Sequence, residues 1–266
     1  FSKKMYDTME LCVSCKACKR ECPTGVDMSK MKIEITNLIN KKYGLKLREK
    51  LIAYLPYYAP KLAFAFPILN FLEKFRILSL LNNIFFNISS KRNIPLTKTD
   101  YFRDYELPNK ISNKMKKPII LFVDTFNKYH EPNNIRSAIS VLKKIGFDPF
   151  LPKNPNEVLC CGRTFLSCGL VEKAKEEADK IIKNFLPFLK SGIPVIGLEP
   201  SCILSFRDEI PLFFNNEMSS LMKKNSFTFE EFLEKNLKNI RFKISNKKIL
   251  IHGHCHQKAF NAIKPI

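Results

Sequence analysis

Apolar residues change rhythm along this chain, and each rhythm predicts a different kind of element. Over the first 44 residues they fall at helical spacing, with Met31, Ile35, Leu38 and Ile39 recurring on one face. Asp27 and Ser29 offer N-caps for that helix, and Gly44 offers a stop. A shorter helix and a cysteine-bearing loop precede it. Residues 45–90 are far more apolar, but Pro56, Pro60 and Pro67 break the run, and Glu73, Lys74 and Arg76 interrupt the rest. No stretch reaches the ~18 to 20 uninterrupted apolar residues of a spanning helix. The pattern predicts short amphipathic helices packed on a partner domain, with peripheral contact to a membrane surface as the second reading. Residues 91–117 are polar, rich in Lys, Asn and Pro, and read as a linker.

From Pro118 the rhythm changes again. Ile119 to Val123 is a short continuous apolar run, as in a strand buried on both faces. A helix through Ile135, Ile139, Leu142 and Ile145 closes at Gly146, and a strand is expected from Phe147 to Leu151. Val171 to Leu189 is a helix with Ala174, Ala178, Ile181, Ile182 and Phe185 on one face. Ile193 to Leu198 and Lys248 to Ile251 are expected strands, separated by helical stretches around 216–224 and 228–239. Strands alternating with helices predict an open, mostly parallel α/β layer. The chain thus divides into a small helical unit over 1–44, a helical connector and linker over 45–117, and an α/β unit over 118–266.

The chain has 266 residues, 45% of them hydrophobic, which is enough to bury a core in one or two domains. Its formal charge of +20 invites a nucleic-acid reading. The excess is spread along the whole chain, however, and only nine of the 45 basic residues are Arg, the residue that bidentate phosphate and base readers favour. No aromatic-plus-basic module is present, so no nucleic-acid partner is expected. No charged leader and apolar run open the chain, so nothing argues for secretion.

The nine cysteines are clustered: four between Cys12 and Cys22, three between Cys160 and Cys168, then Cys202 and Cys255. An odd count in tight groups reads as metal ligation in a reducing, cytoplasmic compartment, not as a disulfide framework. Cys12-Val-Ser-Cys15-Lys-Ala-Cys18-Lys-Arg-Glu-Cys22-Pro23 fits the bacterial ferredoxin run position for position. Thiolates two residues apart on a wrapping loop can reach three irons of a cube, and Pro23 turns the chain away after the fourth. Structural zinc also takes four cysteines, but usually as two separated pairs. A [4Fe–4S] cluster on Cys12, Cys15, Cys18 and Cys22 is therefore the first reading. In two-cluster ferredoxins the fourth cysteine serves the other cluster, so Cys22 either closes a lone cube or reaches one whose run lies upstream of Phe1. Lys16, Lys19 and Arg20 either favour the more negative reduced cluster or form a solvated face.

A second set comprises Cys160, Cys161, Cys202 and Cys255, a candidate second iron–sulfur or metal site. Two of its loops follow expected strand ends, where open parallel sheets place their ligands. Adjacent Cys160 and Cys161 would make a strained bridge, so thiolates for a metal are the better reading. Cys168, and to a lesser degree Cys202, also read as small buried apolar residues. His252, His254 and His256 flank Cys255 without an assignable role.

These stretches, in this order, resemble the iron–sulfur portion of the bacterial FAD-linked oxidases. The matching runs are Cys12 to Met28, Cys160-Cys-Gly-Arg163, Gly197-Leu-Glu-Pro-Ser-Cys202, Arg207-Asp-Glu209 and His252 to Phe260. The group includes glycolate oxidase iron–sulfur subunits and D-2-hydroxyacid dehydrogenases acting on D-lactate or D-2-hydroxyglutarate. The resemblance implies a ferredoxin-like domain followed by a cysteine-rich "CCG" domain, as also occurs in heterodisulfide reductase subunits. It implies FAD in a domain upstream of Phe1, and a second Cys-Cys-Gly beyond Ile266. The sequence departs from the family at Asp124 and Thr125, where an early Cys is expected, and at Glu199, three residues before Cys202. The function implied is electron relay from a flavin-binding domain or subunit to a quinone or redox protein. The alternatives are a thiol–disulfide reductase using Cys160 and Cys161, and a zinc-stabilised nucleic-acid module.

Overall fold

The computed structural model describes residues 3–154, 157–214, 217–237 and 246–266. Residues 3–44 form α1 (Lys3–Glu10), α2 (Ala17–Glu21) and α3 (Met28–Tyr43). Asp27 caps α3 by accepting from the Lys30 N–H at 3.1 Å, and Gly44 ends it with a φ of 81°. Both ends are where capping chemistry places them. The apolar stretch folds as α4 (Leu47–Ala53), α5 (Leu55–Leu62), α6 (Phe66–Lys74) and α7 (Ile77–Phe86). Pro56 and Pro67 fall in the first turns of α5 and α6, where a missing N–H costs nothing.

The α/β part runs β1 (Pro118–Phe122), α8 (Thr125–Tyr129), α9 (Pro132–Lys144), β2 (Asp148–Phe150), α10 (Arg163–Ser167) and α11 (Val171–Lys190). It continues with β3 (Val195–Gly197), α12 (Pro200–Ser205), α13 (Glu209–Phe213), α14 (Glu217–Asn225), β4 (Ser226–Thr228), α15 (Phe229–Asn236) and α16 (Cys255–Ala259). Four strands pair in parallel in the order β2-β1-β3-β4, with Ile120 opposite Val195 and Ile196 opposite Phe227. Ile119, Ile120 and Leu121 are fully buried, as a run covered on both faces requires. Helix α11 buries Ala174, Ala178, Ile181, Ile182, Phe185 and Leu189 along the expected stripe.

Two expectations fail. Lys248 to Ile251 is not a strand: it is irregular, and Ile249, Leu250 and Ile251 are exposed. The place beside β3 is taken by Ser226-Phe-Thr228, a three-residue stretch with no apolar run to announce it. Its hydroxyl side chains are buried because each has a local partner. Ser226 Oγ donates to the Met222 carbonyl at 2.7 Å, and Thr228 caps α15. The polar stretch 91–117 is also more than a tether. Phe102 and Leu107 are buried in the main core, Asp104 pairs with Lys128 and Lys153, and Glu106 pairs with Arg136.

Helical and α/β parts share cores. Ile33, Ala53, Phe165, Leu166, Cys168 and Ala174 pack together, so α3 and α4 rest on α10 and α11. Gly169 permits this contact. At φ +70° it lies so close to α3 that a Cβ would come within 2.7 Å of the Asn37 nitrogen.

Candidate functional site

The loop from Cys12 to Cys22 is bent by two left-handed residues, Ser14 (φ 55°) and Lys16 (φ 61°). Non-glycine residues in this region cost about 1 kcal/mol or more each, so tertiary contacts must hold them. Lys16 reaches inward, is 1% exposed, and is paired with Asp208 and Glu209 at the start of α13. Asp208 also holds Lys19 and Lys30, and Glu209 holds Arg163. Burial alone would raise the Asp208 carboxyl, but Lys16 and Lys19 outweigh it and hold the group well below the usual carboxylate range. The Phe260 ring lies 5.6 Å from Lys16 Nζ and 5.1 Å from Lys19 Nζ. Of the three cations around the loop, Arg20 is the one that fits a solvated face, and even it donates to the Lys258 carbonyl at 2.7 Å.

His256 closes the loop from the other side, its Nε2 lying 3.0 Å from the Ser14 carbonyl. Burial and the neighbouring Arg163 charge push its pKa down to about 4, so the ring is neutral, and the same Nε2 also lies 3.3 Å from Arg163 Nη2. Lys32 donates to the Cys12 carbonyl at 2.6 Å. The sulfurs themselves meet donors. The Met28 N–H lies 3.3 Å from Cys18 Sγ, and Thr24 Oγ1 lies 3.1 Å from Cys22 Sγ. The Thr24 hydroxyl, then the backbone N–H groups of Val26, Thr24 and Gly25, pull the Cys22 thiol below its ordinary value. Donors aimed at sulfur favour the thiolate, the form that ligates iron.

The second set lies at the carboxyl ends of β1 and β3. Cys161 Sγ donates to Cys202 Sγ at 3.0 Å, and the Gly162 N–H lies 3.4 Å from Cys160 Sγ. All three cysteines are buried and border a cavity of about 230 Å³ together with Phe122, Asp124 and Arg163. Donation to Cys161, then burial, pushes the Cys160 thiol well up. For Cys161 the bond from Cys160 acts downward, but donation to Cys202 and burial overcome it. For Cys202 the Cys161 bond also acts downward, yet burial and the Asp124 carboxylate carry it up to about 11. Asp124 itself is raised by burial, although it caps α8 and accepts from the Asn127 N–H at 2.9 Å.

Cys255 sits elsewhere. It is exposed at the start of α16 and lines a separate groove of about 480 Å³ with Cys12, Cys15, His254 and His256. Arg163, Ser167 and Ser201 border both this groove and the buried cavity, so α10 forms a wall between the two cysteine sets. Cys168 packs among Ile33, Phe165 and Leu166, as a small apolar residue would. Another cavity, of about 500 Å³ beside Tyr57, Lys128 and Lys153, has no cysteine among its described lining residues.

Among the described residues, no three His, Cys, Asp or Glu side chains converge to hold a single metal ion. A cube is gripped differently, by thiolates spaced around it instead of meeting at one point. The donor set of Cys12, Cys15, Cys18 and Cys22 fits such a group in its all-thiolate chemistry and in the N–H and O–H donors around Cys18 and Cys22. Residues that sequence reasoning left without a role are Asp208, Glu209 and Arg163. They stood inside quoted motifs, but nothing along the chain indicates that they meet Lys16.

Comparison with known proteins gives one kind of relative. The chain is 24% identical over 96% of its length to a D-2-hydroxyglutarate dehydrogenase of Escherichia coli (strain K12), covering 25% of that protein. It is 22% identical over its whole length to one of Haemophilus influenzae, covering 27%, and 23% identical over 79% of its length to one of Pantoea ananatis, covering 21%. The chain therefore spans about a quarter of the length of the curated relatives it matches. No protein-family profile matches it, and no solved structure matches it. The similarity is to a D-2-hydroxyacid dehydrogenase-like family, and the relatives' names do not mention iron, sulfur or a Cys-Cys-Gly domain.

Proposed function

We propose that this chain is the electron-relay portion of a larger flavin-linked oxidoreductase acting on a D-2-hydroxyacid. Cys12, Cys15, Cys18 and Cys22 hold a [4Fe–4S] cluster in a ferredoxin-like unit over 1–44. Residues 118–266 form the cysteine-rich unit on which it is seated. When bound, the cluster supplies one-electron steps between a two-electron flavin donor and a downstream quinone or redox protein. The chain's own residues orient and insulate. Thr24 and the Met28 N–H stabilise thiolates, Lys16 and Lys19 place positive charge beside the loop, and Asp208 and Glu209 lock it to α13. Hydroxyacid chemistry and FAD belong to a partner domain or subunit.

The observation that carries this reading is the donor cradle around Cys18 and Cys22 within a four-cysteine run of ferredoxin spacing. The test is iron and acid-labile sulfide analysis of anaerobically prepared protein, with EPR after chemical reduction. Four iron and four sulfide per chain, lost in Cys15→Ala, are expected from the cluster type. Folded, colourless protein holding zinc without sulfide would overturn the proposal.

A second reading, thiol–disulfide exchange, draws on the 3.0 Å approach of Cys161 to Cys202, a different pair from the adjacent cysteines singled out by sequence. It is the weaker of the two, because exchange needs a thiolate and both thiols are buried and shifted upward.

A further inference from the structure

Helices α6 and α7 turn many of their large apolar side chains outward. Ile68, Phe71 and Phe75 recur along α6 and the turn after it, all exposed. Ile77, Leu80, Leu81, Ile84 and Phe85 recur along α7 at three- and four-residue steps, again all exposed. The inward side is mixed, with Glu73 and Ser79 buried there beside Phe66. The Ser79 hydroxyl donates to Glu73 Oε1 at 2.7 Å, and the N–H groups of Ser79 and Ile94 donate to the same carboxylate at 3.2 and 2.7 Å. Phe66, packed on Tyr101 and Tyr129, anchors the hairpin to the α/β layer. A helix facing water carries polar residues on its outer face, so this exposed apolar stripe is shaped for an apolar neighbour.

Charge selects the neighbour. Between residues 51 and 99 the chain carries six basic residues and one acidic residue, and the acidic one is the buried Glu73. Lys74 and Arg76 stand in the turn between α6 and α7. The Arg76 guanidinium donates to the Ser90 carbonyl, and the Ser79 hydroxyl lies 3.5 Å from the Arg92 carbonyl. These contacts bring Lys91 and Arg92 to the same end of the hairpin. All four cations are exposed, and among the described residues none joins an ion pair. An apolar stripe with a cationic end and no exposed carboxylate complements a surface that is negative outside and hydrocarbon beneath. No described helix is long and apolar enough to cross a membrane, so such a contact lies in the interface.

We propose that the α6–α7 hairpin seats the protein on an anionic lipid surface. Ile68, Phe71, Leu80, Ile84 and Phe85 enter the acyl boundary, and Lys74, Arg76, Lys91 and Arg92 meet acidic headgroups. This goes beyond electron relay and stands independently of it, since the hairpin touches neither cysteine set.

The test is co-sedimentation of the full-length protein with vesicles of phosphatidylcholine alone or mixed with phosphatidylglycerol. Binding to the mixed vesicles, weakened by salt, is expected. The partition coefficient should fall about tenfold or more in Leu80→Ser/Phe85→Ser, and likewise in Lys74→Gln/Arg76→Gln/Lys91→Gln/Arg92→Gln. Both sets are exposed, so the fold should be retained, as circular dichroism checks. Equal binding to neutral vesicles, or unchanged binding by either variant, overturns the proposal. So does a dimer in solution that Leu80→Ser/Phe85→Ser dissociates while the parent ignores vesicles, which would assign the stripe to a second copy.

Discussion

Lys16 and Asp208 stand 192 positions apart in sequence and form a buried ion pair. The lysine sits between the second and third cysteines of the amino-terminal loop, and the aspartate opens α13. Because Asp208 and Glu209 together gather Lys16, Lys19, Lys30 and Arg163, the loop is held as a fixed part of the α/β layer. Isolated charges in such a site would be costly, and the network compensates them.

Replacing Lys16 should therefore be expensive. Lys16→Met keeps the stem but leaves two buried carboxylates short of a cation, and a loss of about 3 kcal/mol is expected. Lys19, Lys30 and Arg163 still serve those carboxylates, which keeps the loss at the lower end of the about 3–5 kcal/mol that breaking a buried pair costs. Chemical denaturation measures it, and Lys16→Met/Glu209→Gln should recover part of it. A single-variant loss below about 0.5 kcal/mol, the level of ordinary surface changes, would contradict the buried-pair account.

Acid should loosen the same joint. The Asp208 carboxyl is depressed in the folded protein, so its stabilising contribution is complete above the unfolded value of about 3.9. That contribution declines as pH falls below this value toward the folded one. Stability should drop as pH is lowered from about 4, and Asp208→Asn should flatten that part of the profile. Thermal midpoints across the acid range give the comparison, and parallel profiles would count against it.

Thr24→Val tests the sulfur donors separately from the ligands. The cluster should load normally, since all four cysteines stay, but its reduction midpoint should fall because a donor to the Cys22 sulfur is lost. Cys18→Ala should instead lose the iron. A midpoint unmoved by Thr24→Val would show that its hydroxyl does not act on the bound group.

Gly169→Ala should weaken the seat of α3 on the layer. The added Cβ would lie 2.7 Å from the Asn37 nitrogen and 2.8 Å from the Thr36 carbonyl carbon, at a φ of +70° that L side chains rarely adopt. Backbone cannot yield as a flexible side chain does, and a cost of about 2–3 kcal/mol is expected from strain and displacement together. Gly192→Ala shares a positive φ but meets nothing within 4 Å, so it should cost about 1 kcal/mol. Similar losses at both sites would argue against the close approach.

Thiol labelling should separate the cysteines. Cys255 is exposed, whereas Cys160, Cys161 and Cys202 are buried, with thiols shifted upward. In folded protein at mild alkaline pH, Cys255 should react with iodoacetamide about tenfold faster or more than those three. Mass mapping of the labelled peptides reads the order directly.

What could be read from the chain and what could not divide along a physical line. Cys12 to Pro23, the Asp27 cap, the Gly44 stop and the α11 stripe are local signals, because a ligand spacing, a cap or a helix period involves residues close in sequence. So is the apolar core of β1, whose five residues announce burial without reference to their neighbours. Sequence alone therefore determined the helical start, the parallel α/β character and the four candidate ligands.

Only the tertiary structure decided the rest. Ser226-Phe-Thr228 becomes a strand because β3 offers it a free edge, whereas the more apolar Ile249-Leu-Ile251 lies exposed and unpaired. Cys255 turns toward Cys12 and Cys15, not toward Cys202. Lys16, which looks like surface charge in a string of letters, becomes one of the most deeply buried side chains. Each outcome depends on what stands opposite a residue in space. A partner nearly two hundred positions away leaves no trace in local spacing or periodicity.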